Sequence, residues 1–262
     1  MDALVQVAVF LVLPYVALAA FVGGCIYRLV SWLSARRVTG LRSVAIVPNT
    51  FGYGRVLWDL VKRVFAFYTL RNMEGDRTLV VGSVLFHYGI SIVLLAHLGL
   101  VVPLPISPGL HDWLGLYVGG AAGLVALAGI LILIVRRIRL PRMRELSTLG
   151  EYFAPGLLLA IITFGLVQTL VVRPDYMDTV APWLTSVLEF SPNLAPIAGV
   201  GFFTIAHVAL ALVFIAYVPY GQMVHWLGYL FNPTLTGPSF RVGTTPVPAF
   251  PGVGSHSGRR PT

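Results

Sequence analysis

Five long runs of apolar residues alternate with more polar segments along the chain. A helix that crosses a bilayer needs about 20 mainly apolar residues, because the hydrocarbon core is about 30 Å thick. The runs predict membrane spans at residues 4–26, 79–101, 113–135, 149–172 and 197–224. Only Asp2 supplies a charge before the first run, whereas a signal peptide begins with basic residues, so we expect this run to remain as a span. The pattern predicts an all-α integral membrane protein, a bundle of five transmembrane helices.

The segments between the runs differ in charge. Segments 102–112 and 173–196 hold one basic residue, Arg173, against four acidic ones, whereas the two remaining connections are strongly basic. Their basic residues are Arg28, Arg36, Arg37, Arg42, Arg55, Lys62, Arg63, Arg71 and Arg77 in the first connection, and Arg136, Arg137, Arg139, Arg142 and Arg144 in the third. Because basic loops stay on the cytoplasmic side, the N-terminus is predicted outside and the C-terminus inside.

Composition agrees with a multi-pass protein of the cell membrane. Apolar residues make up 57% of the chain and charged residues 11%, with a mean hydropathy of +0.84, whereas soluble domains hold about 25% charged residues. The net charge of +8 follows the predicted topology and does not indicate a nucleic-acid partner. The single cysteine, Cys25, excludes an internal disulfide framework and a cysteine-ligated cluster held by this chain alone.

We expect residues 1–230 to form the membrane domain and residues 231–262, rich in Pro, Gly, Ser and Thr, a flexible cytoplasmic tail. Within the inner loop 27–78, residues 53–70 alternate basic and apolar positions at helical spacing, which predicts an amphipathic helix at the inner surface. That helix either contacts lipid alone or docks a peripheral partner. Trp113, Tyr117 and Trp183 fall near the predicted outer boundary, where aromatic residues are enriched.

Four histidines lie in these apolar runs, His87 and His97 in the second and His207 and His225 in the fifth. Ionisable residues inside a membrane are costly and mark functional sites. The second and fifth spans run antiparallel, so His87 is level with His225 near the inside, and His97 with His207 near the outside. Two such pairs on facing helices are typical of a bundle that binds two haems, each iron held by two imidazoles.

The spacings of the two pairs differ. Ten residues of helix rise about 15 Å and eighteen about 27 Å. Helix tilt and a kink at Pro219 and Gly221 can absorb part of the difference. Zinc is disfavoured because its ligands must converge on one point. The alternative to haem is a haem-free membrane anchor or transporter subunit whose histidines relay protons.

These residues resemble the gamma subunit (dihaem membrane cytochrome b) of respiratory nitrate reductases and its sulfite-reductase-associated and heterodisulfide-reductase-like relatives. The matching segments are LPYVALAAFVGG (13–24), LFHYGISIVLLAHLGLVVP (85–103), GGAAG (119–123) and AHVALALVFIAYVPYGQMVHWLG (206–228). The histidine spacings of ten and eighteen agree with the family. The long inner loop with RSVAIVPNTFGYG (42–54) is more similar to the sulfite-reductase-associated branch.

The resemblance implies a respiratory-chain electron-transport subunit that exchanges electrons between the quinol/quinone pool at the outer side and a cytoplasmic Fe–S subunit, itself joined to a catalytic subunit. His87 and His225 would ligate the iron of the inner haem b, and His97 and His207 the iron of the outer haem b. The family's quinol site uses a lysine where this chain has His111. His111 either hydrogen-bonds a quinol oxygen and accepts its proton, or is an exposed loop residue. The direction of electron flow is left open.

Overall fold

The computed structural model describes residues 3–38, 58, 61–62, 65–67, 76–102 and 105–231, and this part of the chain contains helices and no strand. Within these residues, five helices are long and apolar enough to cross a membrane, and they are called the first to fifth spans. They are Leu4–Trp32, Arg77–Leu100, Pro108–Arg139, Leu149–Val172 and Phe202–Tyr220. The prediction of an all-α, five-span membrane protein is therefore confirmed. Apart from Phe231, the predicted tail lies outside the described residues, as does most of the predicted amphipathic helix.

The spans contain stretches of different helix type, and short helices join them. The α-helices are Ala3–Val7, Leu13–Val38, Arg77–His97, Pro108–Trp113, Gly120–Arg139, Pro141–Leu146, Leu149–Val167, Val180–Leu188, Phe202–Tyr217 and His225–Phe231. The π-helical stretches are Ala8–Val12, Leu114–Gly119 and Gln168–Val172, and the 3₁₀ turns are Leu98–Leu100, Ala195–Ile197, Val218–Tyr220 and Gln222–Val224. All three π-helical stretches lie at one end of the bundle, which also holds His97 and is called the His97 end. The opposite end is called the His87 end.

The boundaries of the first and fifth spans differ from those predicted. The first helix continues past residue 26 to Val38, because Arg28 donates hydrogen bonds inside the bundle and does not mark the start of a loop. The fifth span begins at Phe202, since residues 195–197 form a separate 3₁₀ turn. Its α-helix ends at Tyr217, before the predicted end at residue 224.

The second span packs on the third, the third on the fourth, and the fourth on the fifth. The fifth span also packs on the first. Within the described residues, the second and fifth spans do not pack closely on each other. The main apolar core lies between the second, third and fourth spans and consists of Phe86, Ala126, Ile130, Leu158, Ile162 and Leu166. The second span, with His87 and His97, and the fifth, with His207, are therefore connected through the third and fourth spans and not by direct packing.

Glycines allow the second and third spans to touch through their backbones. A Cβ on Gly129 would lie 2.3 Å from the backbone nitrogen of Phe86, and a Cβ on Gly89 would lie 2.6 Å from the carbonyl oxygen of Ala122. Small residues give this close approach in membrane helices, where packing contacts replace the hydrophobic effect as the driving force. Gly89 thus serves contact between these two spans. Gly123, in the third span, instead faces the side chain of Leu166 in the fourth, whose Cδ2 would lie 2.8 Å from an added Cβ.

At the His97 end, the helix Val180–Leu188 lies against the first span. The indole N–H of Trp183 donates to the carbonyl of Phe10 at 2.9 Å, and the two rings meet edge to face. Trp183 is only 3% exposed, because it packs inside the protein at this end of the bundle. Trp113 and Tyr117 are exposed, at 52% and 58%.

At the His87 end, Asp76 joins the start of the second span to the end of the third. Its carboxylate accepts from the backbone N–H of Leu79 at 3.0 Å and from the hydroxyl of Thr78, and it forms an ion pair with Arg136. The Arg136 guanidinium, followed by the Leu79 N–H, holds the pKa of Asp76 well below its ordinary value. Asp76 therefore acts both as a helix N-cap and as a link between spans.

The backbone contact at Gly129 gives a sharp test of the packing. We expect Gly129→Ala to destabilise the protein by about 1–3 kcal/mol, because neither backbone can move without separating the spans. Gly119→Ala is the matched control, since a Cβ there would meet only the Leu114 carbonyl of its own helix, at 3.8 Å. Unfolding midpoints in detergent measure the stability of both variants. Equal midpoints for the two variants would contradict this packing.

Asp76→Asn keeps a good N-cap residue and removes the charge. We expect it to lower stability by about 1 kcal/mol at neutral pH, a modest value because solvent reaches this ion pair. Since the folded-state pKa of Asp76 is depressed, its contribution is complete above about pH 4, the ordinary value for Asp. It declines as the pH falls further, because the unfolded chain then binds a proton that the folded chain does not. Unfolding measured from pH 7 downward tests this, and a difference between the proteins that grows on acidification would contradict it.

Candidate functional site

The structure brings the four histidines of the apolar runs together as two pairs. The ring centroids of His87 and His225 are 6.1 Å apart, and those of His97 and His207 are also 6.1 Å apart. The His97–His207 pair joins the second span to the fifth span. The His87–His225 pair joins the second span to the helix that follows the fifth span. The pairing by level along antiparallel helices is the one that the sequence predicts.

The separation within each pair suits one metal ion between two imidazoles. A first-row metal binds an imidazole nitrogen at about 2.0–2.1 Å, and that nitrogen lies about 1.2 Å from the ring centroid, so two opposed ligands have centroids about 6.4 Å apart. The observed 6.1 Å is close to this value. Among the described residues, no group of three His, Cys, Asp or Glu side chains converges as a zinc site requires.

Each of the four rings directs Nδ1 at a backbone carbonyl. His87 donates to Ser83 at 2.7 Å and His97 to Val93 at 2.7 Å, both one turn earlier in the same helix. His225 donates to Gln222 at 3.1 Å. A carbonyl oxygen only accepts, so Nδ1 carries the proton and the Nε2 lone pair is left for a metal. Metal-binding histidines commonly show this arrangement, which fixes both the tautomer and the ring direction.

His207 differs because its carbonyl partner belongs to another helix. Its Nδ1 donates to Ile161 of the fourth span at 3.0 Å. Gly165, one turn beyond Ile161, makes this approach possible, since a Cβ at that position would lie 3.0 Å from Cε1 of His207. The fourth span thus orients a ring of the fifth. Neither Ile161 nor Gly165 carries a sequence signal for this role, because the contact exists only after the helices pack.

A break in the helix explains how spacings of ten and eighteen residues serve two facing pairs. The fifth span leaves the α-helix after Tyr217, turns through Val218–Tyr220, and becomes extended at Gly221. His225 begins a separate helix, His225–Phe231. The rise of about 27 Å therefore does not apply, because it assumes an unbroken helix. The predicted kink at Pro219 and Gly221 is a complete interruption.

The surroundings of the two pairs differ. The rings of His97 and His207 are nearly parallel, at 27°, whereas those of His87 and His225 are nearly perpendicular, at 80°. Phe86 and Phe67 lie 5.1 and 5.3 Å from the His87 ring. Phe67 belongs to the inner loop, so this loop contacts His87, a contact that the sequence does not predict.

His111 lies in the helix Pro108–Trp113 at the His97 end and is half-buried. Its Nδ1 is buried and has no hydrogen-bond partner within the described part of the chain. The ring of Tyr176 is 5.7 Å away, from the loop after the fourth span. Burial, reinforced by the carboxylates of Asp112 and Asp175, raises the pKa of the Tyr176 phenol. The reading of His111 as a freely exposed loop residue does not fit this position.

Near His225, the carboxylate of Glu151 is the centre of a polar network at the His87 end. Glu151 accepts from the amide of Gln222 at 2.5 Å and from the backbone N–H of Thr148 at 2.7 Å, and Arg137 lies 3.8 Å from the same carboxylate. The carbonyl of Gln222 is the one that His225 Nδ1 contacts. This network links the fourth span to the turn that carries His225.

Comparison with known proteins places these features in a family. The model of the nitrate reductase gamma subunit matches residues 67–236, well over half of the chain, and the match includes all four paired histidines. The Hdr-like menaquinol oxidoreductase cytochrome b-like subunit of Archaeoglobus fulgidus is 29% identical over 268 residues, spanning 87% of this chain and 79% of that protein.

Two further relatives have similar coverage. The protein of the same name from Archaeoglobus profundus is 24% identical over 266 residues, covering 88% of this chain and 79% of its own. The nitrate reductase gamma chain of Bacillus subtilis is 25% identical over 225 residues, covering 82% and 87% respectively. Five spans with two level histidine pairs, and a family match across both pairs, lead to one conclusion: this chain belongs to the nitrate reductase gamma subunit family.

Proposed function

We propose that this chain is a dihaem membrane cytochrome b that exchanges electrons between quinol and a cytoplasmic Fe–S partner. The family and the five spans already give the coarser statement, a multi-pass cell-membrane subunit of cytochrome b type that transfers electrons. The observation that carries the finer proposal is the pair of histidine pairs, each 6.1 Å between centroids and each with Nδ1 held by a carbonyl.

Under this proposal His87 and His225 hold one haem b, and His97 and His207 hold the other. A haem held by two imidazoles would supply a one-electron carrier with no iron position free for a substrate. The chain contributes the ring orientation through the four carbonyls, which also make Nε2 more electron-rich. His87 and His207 are half-buried, and burial is one of the means by which a protein sets a reduction potential.

The quinol site is proposed at His111, on the His97 side of the bundle. Two relatives are named as subunits of a menaquinol oxidoreductase, and quinol needs a group that accepts a proton when its electrons leave. An imidazole whose buried Nδ1 has no hydrogen-bond partner among the described residues suits this task. Tyr176, beside it, adds a phenol that can hydrogen-bond a second quinol oxygen. Protons would then leave on this side of the membrane.

The basic residues support a cytoplasmic position for the His87 end. Arg139, Arg142 and Arg144 are exposed there, and the positive-inside rule favours that orientation, with the N-terminus outside. An Fe–S subunit and its catalytic subunit would dock on this surface, close to the His87 pair. The relatives are named as subunits of a nitrate reductase and of a menaquinol oxidoreductase, so partner subunits of this kind are expected.

Single substitutions test the pairing. We expect His97→Ala and His207→Ala each to leave about one haem per chain, with the same centre remaining in both variants, because each iron loses an axial ligand. His87→Ala and His225→Ala should leave the other centre. Haem per chain and the reduced-minus-oxidised spectrum measure the result. If His97→Ala and His207→Ala retained different centres, the pairing would be wrong.

A milder pair of variants serves as the control for general damage. Gly165→Ala adds a methyl group against His207, whereas Gly156→Ala in the same span meets nothing within 4 Å. Only Gly165→Ala should change the spectrum of the His97–His207 centre. If the chain is instead a haem-free anchor or proton-relay subunit, none of these proteins should show haem absorbance.

At the proposed quinol site, we expect His111→Ala to lower kcat for quinol oxidation by about 100-fold, since a positioned proton acceptor is worth at least that much. Haem content should stay unchanged, because His111 is not among the paired histidines. Tyr176→Phe should produce a smaller loss. Leu110→Ala, on the same short helix and 46% exposed, is the control. Wild-type turnover by His111→Ala with quinol as donor would move the site elsewhere.

A further inference from the structure

We propose that three residues of the first span, Ala20, Gly24 and Arg28, position His225 by holding the break in the fifth span. This inference rests on the proposed function, in that it takes His225 to be an axial ligand. The three residues are called the stripe. They are spaced by four, so they lie on one face of the helix. The first span lies before residues 67–236, where the family match is found.

Arg28 satisfies the end of the broken helix. Its Nε donates to the carbonyl of Pro219 at 2.8 Å and its Nη2 to the carbonyl of Tyr220 at 3.2 Å. The last carbonyls of a helix have no partner within it, and inside a membrane water does not reach them readily. A guanidinium offers two fixed donors to two neighbouring carbonyls and a positive charge at the negative helix end. This explains an arginine within a membrane span.

Gly24 lets the break approach the first span. A Cβ on Gly24 would lie 2.6 Å from Cβ of Pro219, which is fully buried, whereas a Cβ on the adjacent Gly23 would meet nothing within 4 Å. The hydroxyl of Tyr220 donates to the carbonyl of Ala20 at 3.2 Å, one turn before Gly24. Each residue of the stripe therefore touches Pro219 or Tyr220.

Contacts beyond the break extend the same arrangement to the helix that begins with His225. Trp226 stacks on Phe21 of the first span, with centroids 6.4 Å apart and planes at 8°. Trp32 lies 3.9 Å from the Cβ position of Gly228. The helix His225–Phe231 thus contacts the first span through Trp226 and Gly228. No continuous helix fixes the direction of His225, so these contacts do so together with the hydrogen bond between Gln222 and Glu151.

The stripe acts through Pro219 and Tyr220, which makes Arg28 and Gly24 positioning residues. The angle between the planes of the two axial imidazoles influences the EPR signal of a low-spin ferric haem. That angle is 80° for the His87 pair and 27° for the His97 pair. A shift of the break should change the first signal and spare the second, because His207 lies before the break and is held by the fourth span.

The test compares two matched pairs of variants in the full membrane protein. Gly24→Ala should alter the EPR signal of the His87 centre and weaken its haem binding by about 10–100-fold, a range typical when a supporting residue is lost. Gly23→Ala should match the wild type. Arg28→Gln should act like Gly24→Ala, and Arg28→Lys should recover part of the signal. Arg139→Gln, which removes an exposed charge at the same end, should have no effect.

Equal changes at both centres would overturn the proposal, because they would show general destabilisation. Wild-type signals in Gly24→Ala and Arg28→Gln would also overturn it. A second readout needs no haem. In a Cys25→Ser background, spin labels at Glu145→Cys and Tyr229→Cys report the distance between the helices Pro141–Leu146 and His225–Phe231. If the stripe positions His225, the distance between the two labels should change in Gly24→Ala and stay the same in Gly23→Ala. If the wild type lacks haem, the proposed function fails, and this distance alone decides the role of the stripe.

Discussion

The hydrogen bond from each histidine Nδ1 to a backbone carbonyl is the interaction on which the rest of the site depends. It removes the cost of placing a polar ring nitrogen in an apolar bundle, and it fixes which nitrogen can bind a metal. Three of the four carbonyls come from the turn that precedes the histidine, so the local helix supplies them. The fourth, that of Ile161, requires correct packing of the fourth span on the fifth. The orientation of the His207 ring therefore depends on tertiary structure more directly than that of the His87 ring does.

Helix packing sets the distance between the two rows of histidines. Gly89 and Gly129 bring the second and third spans into backbone contact. The third packs on the fourth and the fourth on the fifth, so the second and fifth spans face each other without close packing of their own. Packed helices lie about 8–10 Å apart, which leaves no room for a cofactor between two rows of ligands. Holding the second and fifth spans apart is thus a structural condition for paired ligands across a planar group.

The sequence predicts the class of the fold and the partners within each pair. Hydrophobic run length predicts the number of spans, and antiparallel order alone matches His87 with His225 and His97 with His207. The interruption after Tyr217 was foreseen only as a kink, because Pro219 and Gly221 permit a break but do not specify its extent. The contacts of Gly165, Gly24 and Arg28 were not foreseen. Arg28 reads in the sequence as one of many basic residues near a span end, and only the folded chain shows its carbonyl partners.

The most direct test of the central claim is the haem content of the purified wild-type protein, produced with haem available and measured by pyridine haemochrome per polypeptide. The structure offers two imidazole pairs of matching separation, so the account predicts about two b haems per chain. A value near one would show that only one pair binds haem. No haem would contradict the account and favour a membrane anchor or proton relay built on the same histidines.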